Sequence, residues 1–457
     1  MFQREAISHL TEWYNSNITR KPLLLRGARQ VGKTTLVRML AKRLNLQLVE
    51  INLEKPWSFT KTFISLNPRQ VIEAMEFELN IDIDPQNSLV FFDEVQACPT
   101  VLPLLRYFYE ETPEYGIIAT GPLLEFALAE PEFSIPVGRL ELYHLGPLSF
   151  QEFLHVNGET KALKAIEKYQ IGDEITDTVH EKLNALVRVF CIVGGMPEPV
   201  SIFKKSKNFR EVEKTKSQII ETFRLDFHKY PKKSSPQLLR LVYDTLPNFL
   251  GRKLVYSKIS SDYKSKELSA AVQQLCLAGI ISKTYHSQAN GVPLSAEKKE
   301  TFFKLLLLDA GLLLSQLRLL PSEFNQVQEL DLVNKGALAE QFIGQHLKYL
   351  QPAYRSPELY YWCRENPSAS AEVDYLIESI HGIVPVEVKA GKTGKLKSLQ
   401  IMVKEKSLPL AVRFCTAKPQ INKEVRGTAL GPVEFTLVSL PHYLVQQISR
   451  LVVTKIS

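Results

Sequence analysis

The octapeptide Gly27-Ala28-Arg29-Gln30-Val31-Gly32-Lys33-Thr34 constrains this chain more than any other stretch. It is a complete G-x-x-x-x-G-K-[ST] pattern. It lies between a short apolar run, Pro22-Leu23-Leu24-Leu25, and a segment with helical spacing, Thr35 to Leu44. A strand that feeds a glycine-rich loop that opens a helix is a cradle for anions. The glycines let the backbone wrap closely with its N–H groups turned inward, and the helix N-terminus adds the positive end of its dipole. In that arrangement Lys33 meets the β- and γ-phosphates of a nucleotide and Thr34 holds Mg²⁺. The loop backbone from Gly27 through Thr35 supplies the remaining contacts.

Further apolar runs follow at Leu46 to Leu53, Leu89 to Phe92 and Gly116 to Thr120, with helical patterns between them. Buried strands alternating with helices predict a parallel α/β sheet covered on both faces. The third run ends in Asp93 and Glu94. Asp93 is expected beside the Mg²⁺ shell. Glu94 is expected to polarise an attacking water, and that second acid favours ATP hydrolysis over transfer to another substrate. Thr120, at the end of the next run, either senses the γ-phosphate or merely starts the turn Thr120-Gly121-Pro122. Arg139 is either a phosphate contact, in the same chain or across a subunit boundary, or a structural anchor.

Composition limits the setting. The chain has 457 residues, 45% hydrophobic and 23% charged, a globular profile of about three domains. Net charge is +7, with a pI of 8.9, so nucleic-acid binding is permitted without being demanded. Cys98, Cys191, Cys276, Cys363 and Cys415 stand singly, which argues against zinc and for a reducing, cytoplasmic compartment. The greasiest stretch, Leu305 to Leu314, is interrupted by Asp309 and Gly311 and too short for a bilayer, so no membrane association is expected.

Residues 150–230 read as helical and polar, broken by Gly194-Gly195-Met196-Pro197. Next come helical runs at Leu238 to Phe249 and Leu268 to Leu277, then a hairpin from Ile280 to Tyr285 and Phe302 to Leu308. Helix, helix, hairpin is the order of a winged helix. Arg252, Lys253, Lys258, Lys264 and Lys266 are its candidate DNA-phosphate contacts, or else part of a protein-contact surface. A helix over Ala337 to Leu350 then precedes strand-like runs at Leu359 to Cys363, Val373 to Ile377 and Val384 to Val388.

In the last two runs Asp374 and Glu387 are placed to converge on one metal ion. Lys389, two residues on from Glu387, shares its face. This D…E-x-K constellation is that of restriction-endonuclease-like nucleases, with Glu340 as the extra acid. Two carboxylates and a lysine there either activate water on a metal or form a structural ion pair. Lys392, Lys395 and Lys397 are either backbone contacts or an ordinary solvated run. The lone His144 and His228 read as structural or surface residues.

Together the motifs resemble the AAA-type ATPases of bacteria and archaea that carry a C-terminal DUF4143 domain. The resemblance rests on Arg26 through Thr35, Phe92-Asp93-Glu94-Val95-Gln96, Gly138-Arg139, Pro147 through Phe153, Gly194 through Pro197, Leu308-Asp309-Ala310-Gly311-Leu312 and Glu387 through Gly391. It departs at Pro122, where the family usually has a serine. The resemblance implies an AAA core, a helical lid, a winged helix and a nuclease-like α/β module. These are expected at residues 1–155, 156–232, 233–325 and 326–457. It implies ATP and Mg²⁺ as ligands, with DNA, a partner protein or a second copy of the chain as candidate partners. Three readings stay open: an ATPase that moves its C-terminal modules, a nucleotide-gated interaction module with an inactive nuclease fold, and an ATP-regulated metal-dependent nuclease.

Overall fold

Strands β1 (Leu23–Arg26), β2 (Gln47–Asn52), β3 (Ser88–Asp93), β4 (Gly116–Thr120) and β5 (Glu141–His144) form a five-stranded sheet in the order β2-β3-β4-β1-β5. Every pairing in it is parallel. This is a computed structural model, which describes residues 4–16, 20–121, 123–128, 138–230, 233–319, 336–364, 370–380, 382–428 and 430–453. Strands β3 and β4 are buried throughout, which is why they read as unbroken apolar runs. Alternation divides their side chains between two cores. Leu89, Phe91 and Ile118 face the helices Ala6–Asn15 and Lys33–Leu44, while Val90, Phe92 and Ile117 face Pro68–Leu79 and Val101–Glu111. Because the strands are parallel, the segments following β1, β3 and β4 all emerge at one edge, where an open α/β sheet binds its ligand.

Five helices follow: Phe150–Val156, Thr160–Lys168, Asp177–Val193, Pro197–Ser206 and Phe209–Asp226. The first begins in a capping box between Ser149 and Glu152. Glu152 also pairs with Arg4 at 2.9 Å, tying this block to the start of the chain. The break at Gly194-Gly195 is held from far away. The fully buried Asp309 accepts the Gly195 N–H at 2.6 Å and the Leu312 N–H at 3.0 Å.

The remaining strands are β6 (Ile281–Ser287), β7 (Lys298–Leu307), β8 (Leu359–Arg364), β9 (Ala371–Ser379), β10 (Gly382–Val388), β11 (Leu410–Cys415), β12 (Gln420–Thr428) and β13 (Gly431–Pro441). They form one mixed sheet of eight strands, in the order β12-β13-β11-β10-β9-β8-β6-β7. The helices Pro236–Thr245 and Ser265–Leu277 precede the β6–β7 hairpin, in the expected order. The hairpin does not stand apart, because β6 pairs in parallel with β8, Tyr285 opposite Tyr360. The expected boundary at 325/326 lies outside the described residues, and the sheet runs across it. The helix Ala337–Tyr349 packs Leu338 and Phe342 with Val384 and Val386, while Lys397–Lys406 packs Leu399 and Met402 against the other face. No helix among the described residues is long and apolar enough to cross a membrane.

Candidate nucleotide site and a second carboxylate centre

The octapeptide forms the loop between β1 and the helix Lys33–Leu44. Gly27 has φ 146° and Gly32 φ 96°, conformations that side-chain-bearing residues rarely adopt. A Cβ on Gly27 would also lie 2.3 Å from the Leu145 carbonyl oxygen. Lys33 is buried, and its ammonium donates to the carbonyls of Gly27 and Ala28, both at 2.8 Å. Burial lowers its pKa to about 8, against the pull of the Glu94 and Asp93 carboxylates.

Thr34 donates its hydroxyl to Asp93 Oδ2 at 2.9 Å, joining the loop to the end of β3. The other Asp93 oxygen accepts the Glu94 N–H at 2.9 Å. A hydroxyl and a carboxylate side by side are hard oxygen donors of the kind Mg²⁺ takes. Glu94 sits at φ 56°, a strained left-handed position for a residue with a side chain. Burial raises its pKa, and Gln96 Nε2 donates to its Oε2. Gln96 fits because position 121 is glycine, where a Cβ would lie 2.1 Å from Gln96 Oε1.

Two expected contacts are placed elsewhere. Thr120 is fully buried and donates its hydroxyl to the Leu25 carbonyl at 2.6 Å, so it ties β4 to β1 and does not face the loop. Arg139 precedes β5 and pairs with Glu110 at 2.7 Å. Since Glu141 lies opposite Leu23, Arg139 is at the far edge of the sheet, roughly 13 Å of strand from the loop. That distance rules out a phosphate contact within the same chain. Pro122 lies outside the described residues.

The loop is held by other parts of the chain. Arg29 pairs with Asp226, at the end of the helix Phe209–Asp226, at 2.7 Å. A Cβ on Gly279 would lie 3.2 Å from that of Ala28, and one on Gly32 would lie 3.4 Å from Pro197 Cγ. Arg4 donates to the Val31 carbonyl at 3.0 Å.

The second centre lies where the helix Ala337–Tyr349 crosses the eight-stranded sheet. The β9–β10 register pairs Tyr375 with Val386, so the next step sets Asp374 opposite Glu387, on one face as expected. Asp374 Oδ2 accepts the Val388 N–H at 2.8 Å, and Lys389 pairs with Glu387 at 2.6 Å. Lys304 of β7, only 5% exposed, extends into the cluster. Its ammonium lies 2.5 Å from Glu372, 3.7 Å from Asp374 and 3.9 Å from Glu340. Burial pushes the Glu340 and Glu387 carboxyls well above the usual range, and Asp374 adds to both shifts. Among the described residues no three His, Cys, Asp or Glu side chains are arranged to hold a metal ion together.

Three segments of this chain match family models. Residues 19–154 match that of an AAA domain, and residues 335–429 that of DUF4143, a domain of unknown function. The chain carries an AAA domain and a C-terminal DUF4143 domain. Residues 184–323, between them, match a second domain of unknown function, DUF8612. The chain is similar to the solved Walker-type ATPase of Pyrococcus abyssi, at 14% identity over 69% of this chain and 96% of that one, with a TM-score of 0.44. It is also similar to C. elegans PCH-2, at 16% identity over 45% of this chain and 63% of that one, with a TM-score of 0.27. No curated protein matches it.

At the nucleotide site, sequence reasoning gives no role to Gln96, although it lies two residues from Glu94, or to Asp226, the partner of Arg29 from outside the AAA domain. In the DUF4143 domain it passed over Glu372, two positions before Asp374 on the same strand. Lys304 comes from the DUF8612 segment, where it is a lone charge in the otherwise apolar run Phe302 to Leu308, with nothing in the sequence to name its partners.

Proposed function

We propose that the AAA domain binds ATP with Mg²⁺ and hydrolyses it, and that the state of its phosphate loop is passed to the C-terminal modules. The observation that carries this reading is the Thr34–Asp93 hydrogen bond at 2.9 Å, beside the buried Lys33 ammonium and the Glu94 carboxylate. Loop N–H groups and the helix N-terminus hold the phosphates. Lys33 exchanges the carbonyls of Gly27 and Ala28 for phosphate oxygens. Thr34 and Asp93 are the donors that fit Mg²⁺, which when bound neutralises charge on the β- and γ-phosphates. Glu94 orients the attacking water and takes its proton. Its raised pKa suits that task better than an exposed glutamate's would, and Gln96 keeps its carboxylate turned. Arg139 has a place at the phosphates only across a subunit boundary of a homo-oligomer.

The contacts of Pro197, Gly279 and Asp226 with the loop support the coupling, because each belongs to an element outside the AAA domain. DNA is the candidate target of the moving modules. Lys253, one of the expected phosphate contacts, stacks its ammonium 3.8 Å from the Phe302 ring centroid and is engaged there. Isothermal titration of Lys33→Ala tests the binding site, since unchanged ATP affinity refutes it. Phosphate release by Glu94→Gln, with and without DNA, tests hydrolysis and coupling. Turnover at the parent rate moves the chemistry elsewhere.

For the DUF4143 centre one observation favours the non-cleaving alternative over a metal-dependent nuclease. A buried lysine already sits among the acids that a metal needs.

A further inference from the structure

The centre that motif reasoning assigns to a divalent cation does not fit one as it stands. Its carboxylates come from three elements: Glu340 from a helix, Glu372 and Asp374 from β9, and Glu387 from β10. Four such groups, if ionised, repel one another strongly away from water. A nuclease centre relieves that repulsion with a metal ion. Here the relief comes from two lysines. Lys389 pairs with Glu387, and Lys304 lies within 4 Å of the other three. The tightest of these contacts, at 2.5 Å, is to Glu372, which the D…E-x-K pattern does not include.

One oxygen remains unused. Glu387 is 6% exposed, and among the described residues its Oε2 has no hydrogen-bond partner. A buried carboxylate oxygen without a hydrogen-bond donor is costly, and it shows that the two ammonium groups do not fill the acceptor capacity of the cluster. Lys304 is also anchored from outside the DUF4143 domain. It stands on β7, opposite Thr284 of β6, and a bridge from Lys253 continues that edge. Gly251, just before it, brings the backbone close to Glu340, since a Cβ there would lie 2.9 Å from Glu340 Oε2.

We infer that Lys304 is a built-in cation, supplied by the DUF8612 hairpin, that takes the place of a divalent metal among Glu340, Glu372 and Asp374 and keeps a latent metal site closed. An ammonium and a divalent ion cannot share this space, so binding of one excludes the other. The inference rests on the non-cleaving reading of the DUF4143 domain. It goes beyond that reading by naming the residue that closes the site and the ligand class that removing it would admit: a hard divalent cation held by oxygen donors.

The test uses the full-length chain without nucleotide, in an Asp93→Asn background so that the AAA site contributes no Mn²⁺. The probe is Mn²⁺ alone, followed by electron paramagnetic resonance and by thermal melting. Lys304→Met is expected to take up one Mn²⁺ per chain at least tenfold more tightly than its parent and to gain several degrees of melting temperature with the ion. Asp374→Asn, added to Lys304→Met, is expected to abolish both effects. If Lys304→Met is unstable without metal, Lys304→Gln and rescue by Mn²⁺ give the same readout. A folded Lys304 variant that takes up no Mn²⁺ overturns the inference. So does a parent that binds Mn²⁺ as tightly through Asp374. Nicking of plasmid DNA by the parent protein with Mn²⁺ sinks the non-cleaving reading and the inference with it, whereas a folded Lys304 variant without Mn²⁺ uptake, beside a parent that does not nick, overturns the inference alone.

Discussion

Asp309→Ala removes a side chain that joins the Gly194-Gly195 break to the turn after β7. The carboxylate is fully buried and accepts two backbone N–H groups, from Gly195 at 2.6 Å and from Leu312 at 3.0 Å. Hydrogen bonds to a charged acceptor contribute about 1.5–3 kcal/mol each, which sets a gross loss of about 3–6 kcal/mol. Two observations pull the net value to the lower end. Burial raises the Asp309 pKa, so removing the carboxyl also removes a desolvation cost. And Lys216, the nearby cation, keeps Glu213 at 2.8 Å and the carbonyls of Ile192 and Gly311, so it is not stranded. The expected loss is about 3 kcal/mol. Urea unfolding measures it, read from the fluorescence of Trp13 in the first helix, Trp57 in the AAA domain and Trp362 in the DUF4143 domain. Asp309→Asn keeps one acceptor but turns an NH₂ group toward a donor, so it is expected to recover less than half of the loss. The Gly195 turn also sets Pro197 against the phosphate loop, so ATP binding is expected to weaken several-fold in both variants. A loss under about 1 kcal/mol for Asp309→Ala refutes the reasoning, because two N–H groups would then be orphaned at almost no cost.

Four further outcomes are expected. The Lys33 pKa near 8 rises when phosphates arrive, so ATP binding takes up a proton above that pH. Affinity measured calorimetrically is expected to fall as pH rises from 8 to 9 and to stay level from 7 to 7.5; a flat profile to pH 9 contradicts the site. Gln96→Ala is expected to reduce phosphate release several-fold at unchanged ATP affinity, since it frees the Glu94 carboxylate without touching the loop; a changed affinity with normal turnover speaks against that role. In a double-mutant cycle of Arg29→Gln and Asp226→Asn, the half-buried pair is expected to couple by about 1–2 kcal/mol in stability. That coupling is expected to shrink with ATP bound, and additive effects in both states count against a latch. Finally, the folded chain binds a proton at Glu340 more tightly than the unfolded chain does, so stability is lost as pH rises past the ordinary glutamate value of 4.5. Glu340→Gln is expected to flatten that fall in melting temperature, and an unchanged slope assigns it to other groups.

What could be read from the sequence was local. The phosphate loop, the acids at the end of β3 and four of the five AAA strands are contiguous patterns whose chemistry is fixed within a few residues. Strand β5, Glu141-Leu142-Tyr143-His144, escaped notice because only Tyr143 of its four residues is buried. Strands β11 to β13 were not assigned, although β13 ends in a long apolar run. The facing of Asp374 and Glu387 was legible, since two short strands thirteen positions apart in a hairpin leave few registers. The link from Asp309 to Gly195 was not. Both motifs were visible, but a bond across 114 positions leaves no periodicity to read. The partners of Lys304 were hidden for the same reason, and the choice for Arg139 between phosphate contact and anchor stayed open because sequence shows which strand a residue precedes but not which end of the sheet faces the ligand.

The contact of Gly279 with Ala28 gives the eight-stranded sheet a mechanical meaning. Strand β6 starts two residues after Gly279, so the sheet begins almost on the phosphate loop. From β6 the strands run through β8, β9, β10, β11 and β13 to β12, six spacings of about 4.8 Å, or roughly 29 Å. If the sheet turns as one body, a rotation of about 5° at β6, beside the loop, would carry β12 through roughly 2.5 Å over that lever arm. On the coupling proposed above, a shift smaller than a bond length at Ala28 would be geared up into a displacement that another molecule resting on β12 would feel.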